Sequence, residues 1–225
     1  MAIKYYYRMH EKCGSSNSIE NITNKNCLKN FIKGISNIDN LIINIDNSSD
    51  TFAEEIKKIH PHITTSNCGN GFSFLKTVDE AILQNSDEDI IYFVENDYVH
   101  LPDIDAYILD GFKTGASLVT LYDHNDKYTS YPELVSKVVI GELCHWRTTP
   151  STCMTFAAKI RTLKRHKDIL VKYSSFEKQP HDHYMFIALG NAGNILVSPI
   201  PGRCSHGERG CLSPFISWDN IVENS

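Results

Sequence analysis

No apolar run in the 225-residue sequence approaches the roughly 20 residues that a bilayer-spanning helix needs. The longest candidates are strand-length pieces such as residues 90–94, so no membrane span is expected. Residues 1–8 contain three consecutive tyrosines and then turn polar. They lack the apolar core and small-residue cleavage site of a secretory signal, and a cytosolic location is expected. Positive charge is not in excess either. With 22 Lys and Arg against 27 Asp and Glu, the formal charge of −5 leaves no electrostatic footprint for a polyanion, which argues against a nucleic-acid partner. The seven cysteines are odd in number and include no C-x-x-C pair, so free thiols are expected. The sequons at Asn21 and Asn47 then carry little weight, because without export they never meet the glycosylation machinery. A phosphate-binding loop is also missing, since Gly14-Ser15-Ser16 lacks the lysine that such a loop uses.

What is present is an apolar fraction of 41%, enough for one packed domain. The first half alternates strand-like and helix-like pieces, the pattern of a mainly parallel sheet with crossover helices. Residues 3–7 read as a first strand, and Ile19, Ile22, Leu28, Phe31, Ile32 and Ile35 as a helix capped by Asn17 or Ser18. Residues 41–45 predict a second strand that delivers Asp46 to its carboxyl end, followed by a helix through Phe52, Ile56 and Ile59 stopped by Pro61. Residues 63–66 predict a third strand, Gly69-Asn70-Gly71 a tight loop, and Phe74, Val78, Ala81 and Ile82 a third helix. Residues 90–94 predict a central strand. Beyond it the spacing predicts strands at 117–121 and 135–140, then a helix over 156–171 in a mixed sheet. Residues 181–186 predict the start of a helix with Phe186, Ile187 and Leu189 turned inward, and residues 199–218 an ordered loop over a site or a flexible extension.

The most informative stretch is 90–97, an apolar strand ending in Glu95-Asn96-Asp97. Carboxylates at the carboxyl end of a buried strand suit a hard cation with room for nucleotide phosphates, although a polar strand end reads the same way. Tyr7, Arg8, Asp46, Asn70 and Gly71 follow neighbouring strands and could face the same crevice; a plain turn explains the glycine equally well. Asp182 falls in the first turn of its helix, where the dipole favours a carboxylate as a cap.

The strand, E-N-D and the following Leu101-Pro102 resemble the D-x-D region of GT-A glycosyltransferases, with Glu95 in place of the first Asp. The resemblance extends in order over most of the chain to Cys204-Ser205-His206-Gly207-Glu208. It implies a single α/β GT-A domain with a mixed, mainly parallel sheet, residues 1–102 binding a nucleotide-sugar and 103–225 the acceptor. It further implies Asp97 as the direct metal ligand, Glu95 as a ligand through water or a ribose contact, and a late histidine, His206, as another ligand. That set points to Mn²⁺ (or Mg²⁺). Asp46 is implied to bind base or ribose, with Tyr7, Arg8, Asn70, Gly71 and Asn96 beside it, and Asp182 to be the base of an inverting transfer. Among members, the chain looks similar to small virus-encoded or bacterial transferases of surface glycans, including a viral rhamnosyltransferase domain. A UDP-sugar donor, a glycan or glycoprotein acceptor and a lid at Ser205-His206-Gly207 follow as expectations, with Glu177 or Glu208 as reserve bases. The rival readings are a metal-dependent phosphoesterase or nucleotidyltransferase, and a non-enzymatic carbohydrate-binding module using the tyrosines and Trp146.

Overall fold

The computed structural model describes residues 1–12, 17–176, 178–219 and 221. Cys13, Gly14-Ser15-Ser16 and Glu177 lie outside the described residues. The first half runs β1 (Ile3–Met9), α1 (Asn24–Gly34), β2 (Leu41–Asp46), α2 (Asp50–Lys57), β3 (Ile63–Ser66), α3 (Asn70–Gln84) and β4 (Ile90–Glu95). Next come β5 (Tyr98–His100), α4 (Ile104–Lys113), β6 (Leu118–Val119), α5 (Asp126–Thr129), β7 (Val138–Ile140) and β8 (His145–Thr148). The chain closes with β9 (Phe156–Lys159), α6 (Ile160–Arg165), α7 (Lys167–Ser174), α8 (Asp182–Asn191), β10 (Leu196–Ile200) and β11 (Cys204–His206).

One nine-stranded sheet, in the order β3-β2-β1-β4-β9-β6-β10-β8-β7, carries both halves, and β11 pairs β5 in a separate ribbon. The strands β1, β2, β3 and β4 are mutually parallel, while β9 runs antiparallel to both β4 and β6. Helices cover both faces, so the central strands are buried on each side. Along β1 the period of two sends Tyr5 and Tyr7 to one core with Phe31 and Leu28, and Tyr6 to the other with Phe74 and Phe93. Helix starts follow the hydroxyl caps: Thr23 accepts from the Asn26 amide at 3.2 Å and Ser49 from the Phe52 amide at 3.2 Å.

Several expectations are corrected. Helix α1 starts after Thr23, not after Asn17 or Ser18. Ile19 and Ile22 precede it and pack instead with Val99 and Trp218 in a third cluster. The single helix expected over 156–171 is a strand followed by two helices. Phe156, Ala157 and Ala158 are fully buried on both faces of the sheet, and a strand without alternation mimics a helical stripe. Asn70 and Gly71 belong to the first turn of α3, the turn itself being made by Gly69 at φ 89°. In α8 Met185, Phe186 and Leu189 face inward while Ile187 is exposed. The segment expected at 135–140 shortens to β7, an edge strand. The tail is ordered: Trp218 is buried and its indole donates to the Ser213 carbonyl at 2.8 Å. No helix among the described residues is long and apolar enough to cross a membrane. Cys68, Cys144, Cys153, Cys204 and Cys211 are free thiols.

Candidate active site

Parallel pairing brings the carboxyl ends of β1, β2 and β4 to one level, with Arg8 opposite Glu95 in register. There a cleft of about 370 Å³ is lined by Arg8, His10, Lys12, Asp46, Asn70, Ser73, Glu95, Asn96 and Asp97, among others. A larger hollow of about 970 Å³ opens beside Ile90, at the opposite end of β4, and contains none of the predicted residues. Six of the eight expected nucleotide-binding residues therefore share one cleft, and two do not line it. Tyr7 is fully buried, its ring 5.3 Å from that of Phe31. Gly71 has a packing reason: a Cβ there would collide with the carbonyl oxygens of Ser174 and Phe176.

The cleft residues differ in how far the protein already satisfies them. The Asp46 carboxylate accepts from the Ser66 hydroxyl at 2.7 Å, the amides of Cys68 and Gly69 at 3.0 Å, and Asn47 Nδ2 at 2.9 Å. Burial works against its charge, but these bonds win and hold its pKa below the usual range. Asn96 donates to the His10 carbonyl at 2.9 Å and to Asn24, tying the end of β1 to the start of α1. Arg8 is the opposite case. Its Nη2 donates to the Asn70 carbonyl at 2.9 Å and to the Asn70 side chain, and its guanidinium lies 5.4 Å from the Phe74 ring centroid. Among the described residues Nε and Nη1 have no hydrogen-bond acceptor, and Glu95 stands 3.9 Å from Nη1. Burial pulls the Arg8 pKa down, countered by Glu95 and Asp46.

Glu95 ends β4, with its amide donating to Thr155 Oγ1 at 3.1 Å. Burial pushes its carboxyl up to about 7; Arg8 opposes this, and the charges of Asp97 and Asp182 add to it. Asp182 thus lies within electrostatic reach of the E-N-D carboxylates. Burial also raises Asp182, against the His183 amide, which donates to it at 2.7 Å, and the positive fields of His183, His124 and Lys127.

The β5–β11 ribbon delivers the remaining group. His206 is the register partner of Tyr98, and the Gly207 amide donates to the Asp97 carbonyl at 2.8 Å. His206 Nε2 then lies 3.2 Å from the Asp97 carboxylate, while Nδ1 accepts from the Glu208 amide at 3.1 Å. Burial disfavours a charged His206 ring, but the bond and charge of Asp97, with Glu95 and Glu208, outweigh it and raise the pKa.

The sequence reading missed the groups around Asp182. His124, Lys127 and His183 face it electrostatically, and the His183 ring stacks on Tyr131 with centroids 6.2 Å apart. His183 Nδ1 pairs with Ser151 Oγ at 3.1 Å. The run His124-Asn125-Asp126-Lys127, directly after an apolar segment, was the available signal.

No protein-family model matches the chain, and no curated protein matches it by sequence. Solved structures do match. GalNAc-T7 with UDP, GalNAc and Mn²⁺ has 9% identity and a TM-score of 0.63 over 99% of this chain and 47% of that one. S. aureus TarS 1–349 in complex with UDP-GlcNAc has 11% identity and a TM-score of 0.54 over 100% and 61%. TarS 1–349 in complex with UDP has 13% identity and a TM-score of 0.53 over 88% and 57%. The chain therefore spans about half to three fifths of those chains, and what it shares with them is a fold: the α/β GT-A architecture with a large mixed central sheet.

Proposed function

We propose that the chain is a metal-dependent glycosyltransferase that moves a sugar from a nucleotide-sugar, with a UDP-sugar favoured, to a glycan hydroxyl with inversion at the anomeric carbon. The observation that carries this reading is the meeting of Asp97 and His206, distant in sequence, at 3.2 Å on the rim of a cleft that also holds a buried arginine with unused donors. Cis ligands of a six-coordinate Mn²⁺ or Mg²⁺ at ~2.1 Å lie about 3 Å apart, so this pair has the spacing of two ligands on one ion. Carboxylate with imidazole suits Mn²⁺. When bound, the ion would neutralise charge on the departing diphosphate.

The chain's own residues divide the remaining work. Nε and Nη1 of Arg8, without an acceptor among the described residues, suit a phosphate or base carbonyl, and Glu95 beside them suits a ribose hydroxyl. Asp46 is already saturated by Ser66, Cys68, Gly69 and Asn47, which supports a positioning role for the turn that presents Asn70. Asp182, raised by burial, is suited to take the proton from the acceptor hydroxyl. Residues 103–225 form the acceptor side in this reading, with Tyr131 and His183 as a stacking surface. The tail has less freedom than a loose lid, because Ser205 is buried and a Cβ at Gly207 would meet Ile22. The likeness to virus-encoded or bacterial surface-glycan enzymes belongs to this proposal as well.

Calorimetry with UDP and UDP-sugars, with and without Mn²⁺, tests the reading. Metal-dependent UDP binding is expected; its absence overturns the proposal. Release of inorganic phosphate from nucleotides would favour the phosphoesterase reading, and glycan binding indifferent to nucleotide the binding module.

A further inference from the structure

We propose that His206, Glu208 and Cys211 form a second metal site, for a borderline-soft divalent ion such as Zn²⁺, which shares His206 with the Asp97 position. Among the described residues, these are the one group of three or more His, Cys, Asp or Glu whose ligand atoms all lie within 4.8 Å of one another. Bonds of ~2.0–2.3 Å to a tetrahedral zinc ion place ligand atoms roughly 3.5 Å apart, a contraction that side-chain rotation supplies.

The set is assembled by one short segment. β11 ends at His206, and the 3₁₀ turn Arg209–Cys211 folds back so that the Cys211 amide donates to the Glu208 carbonyl at 2.8 Å. The hydroxyl of Tyr122, itself buried, donates to the Cys211 carbonyl and anchors the turn. The sequence offers no C-x-x-C pair, and this H-x-E-x-x-C spacing uses a single thiol instead.

The donor chemistry separates this site from the neighbouring one. Thiolate, imidazole and carboxylate together select Zn²⁺, whereas Asp97 with His206 suits Mn²⁺. Binding of the ion releases the thiol proton to solvent and leaves sulfur as the thiolate ligand. Three protein ligands leave a fourth position for water. Because His206 already spends Nε2 on Asp97 and Nδ1 on the Glu208 amide, an ion here draws the ring out of that arrangement. Zinc therefore antagonises the Asp97 site.

Cobalt titration of the purified chain tests the assignment without any nucleotide. Stoichiometric Co²⁺ is expected to give a thiolate-to-cobalt charge-transfer band and the intense visible bands of tetrahedral coordination, both displaced by Zn²⁺. Cys211→Ser should abolish the charge-transfer band while keeping the circular dichroism spectrum, and Asp97→Asn should retain it. No band in the wild-type chain, or a band that persists in Cys211→Ser, overturns the proposal. Calorimetry of the wild-type chain with UDP and Mn²⁺ keeps the two readings apart: cobalt binding without any UDP binding leaves this site standing and removes the transferase.

Discussion

Two arginines are buried in this chain, one in each half of the sheet, and their surroundings differ. Arg147 on β8 directs Nε and Nη2 at Asp123 Oδ1, at 3.1 and 2.5 Å, and the second oxygen of Asp123 accepts from Tyr128 at 2.6 Å. Arg8 at the end of β1 has Asn70 as its one acceptor among the described residues, with the Glu95 carboxylate at 3.9 Å. A buried charge with its partners in place defines local structure; one left short of partners keeps a capacity that a ligand can use. The contrast sets an internal ion pair at β8 against an arginine at the end of β1 that lines a cleft with two donors unpaired among the described residues.

The largest effect is expected at the proposed ion position beside Arg8's cleft. Asp97→Ala should remove metal-dependent UDP binding, leaving only the metal-free calorimetric signal, with the melting temperature unchanged because Asp97 lies on the rim of the cleft. Retained binding in the folded variant would place the ion elsewhere. Asp182→Asn should keep UDP affinity and lower turnover by ~10²–10⁴-fold, since the amide keeps the shape and loses the basicity. Near-normal turnover would reduce Asp182 to a first-turn carboxylate that the helix dipole favours.

The two arginines themselves sharpen the comparison. Arg147→Met leaves Asp123 buried and unpaired, and should cost about 3–5 kcal/mol in urea denaturation. Arg8→Met should change the urea midpoint far less and weaken UDP binding by roughly tenfold or more, the usual cost of losing a hydrogen bond to a charged group. Equal stability losses in the two variants would erase the distinction.

A smaller effect separates two histidines in the same way. His206 has carboxylate neighbours, whereas His100 is buried with Nε2 on the Tyr92 hydroxyl at 2.8 Å and no hydrogen-bond partner for Nδ1 among the described residues. Burial pushes His100 down to about 3, so the native protein keeps it neutral while the unfolded chain protonates it below about 6.5. Its contribution is complete above about 6.5 and is lost as pH falls toward 3, at about 1.4 kcal/mol per unit. Urea midpoints measured from pH 7 down to 5 should fall more steeply for the wild type than for His100→Gln; equal slopes would show that His100 is not the group.

The legible part of the fold was the part made by local rules. The strands β1 to β4 and the helices between them were readable because apolar periodicity, Pro61 and the glycine at 69 act within a few residues. The short strands beyond were not. β9 has no polar face because other strands flank it, and β5 and β11 are three residues each, too short to carry a pattern. Within the site, Glu95-Asn96-Asp97 and Asp182 were visible as carboxylates at element ends. Tyr7 misled because the strand runs on to Met9, so a residue read at its end lies inside it and packs on Phe31, and Gly71 because a glycine that admits a ligand looks like one that admits another helix.

The sequence by itself determined the alternating α/β half, the acidic end of its central strand and the lack of an apolar run of membrane-spanning length, because each depends on short-range periodicity and composition. Only the tertiary structure decided that β9 enters the sheet beside β4, that Asn96 and Asp46 are spent on internal hydrogen bonds while Nε and Nη1 of Arg8 have no acceptor among the described residues, and that the β5–β11 ribbon sets His206 against Asp97. Those outcomes follow from covering both faces of one sheet at once and pairing every buried polar group it can reach, a condition on the whole chain that no local window contains.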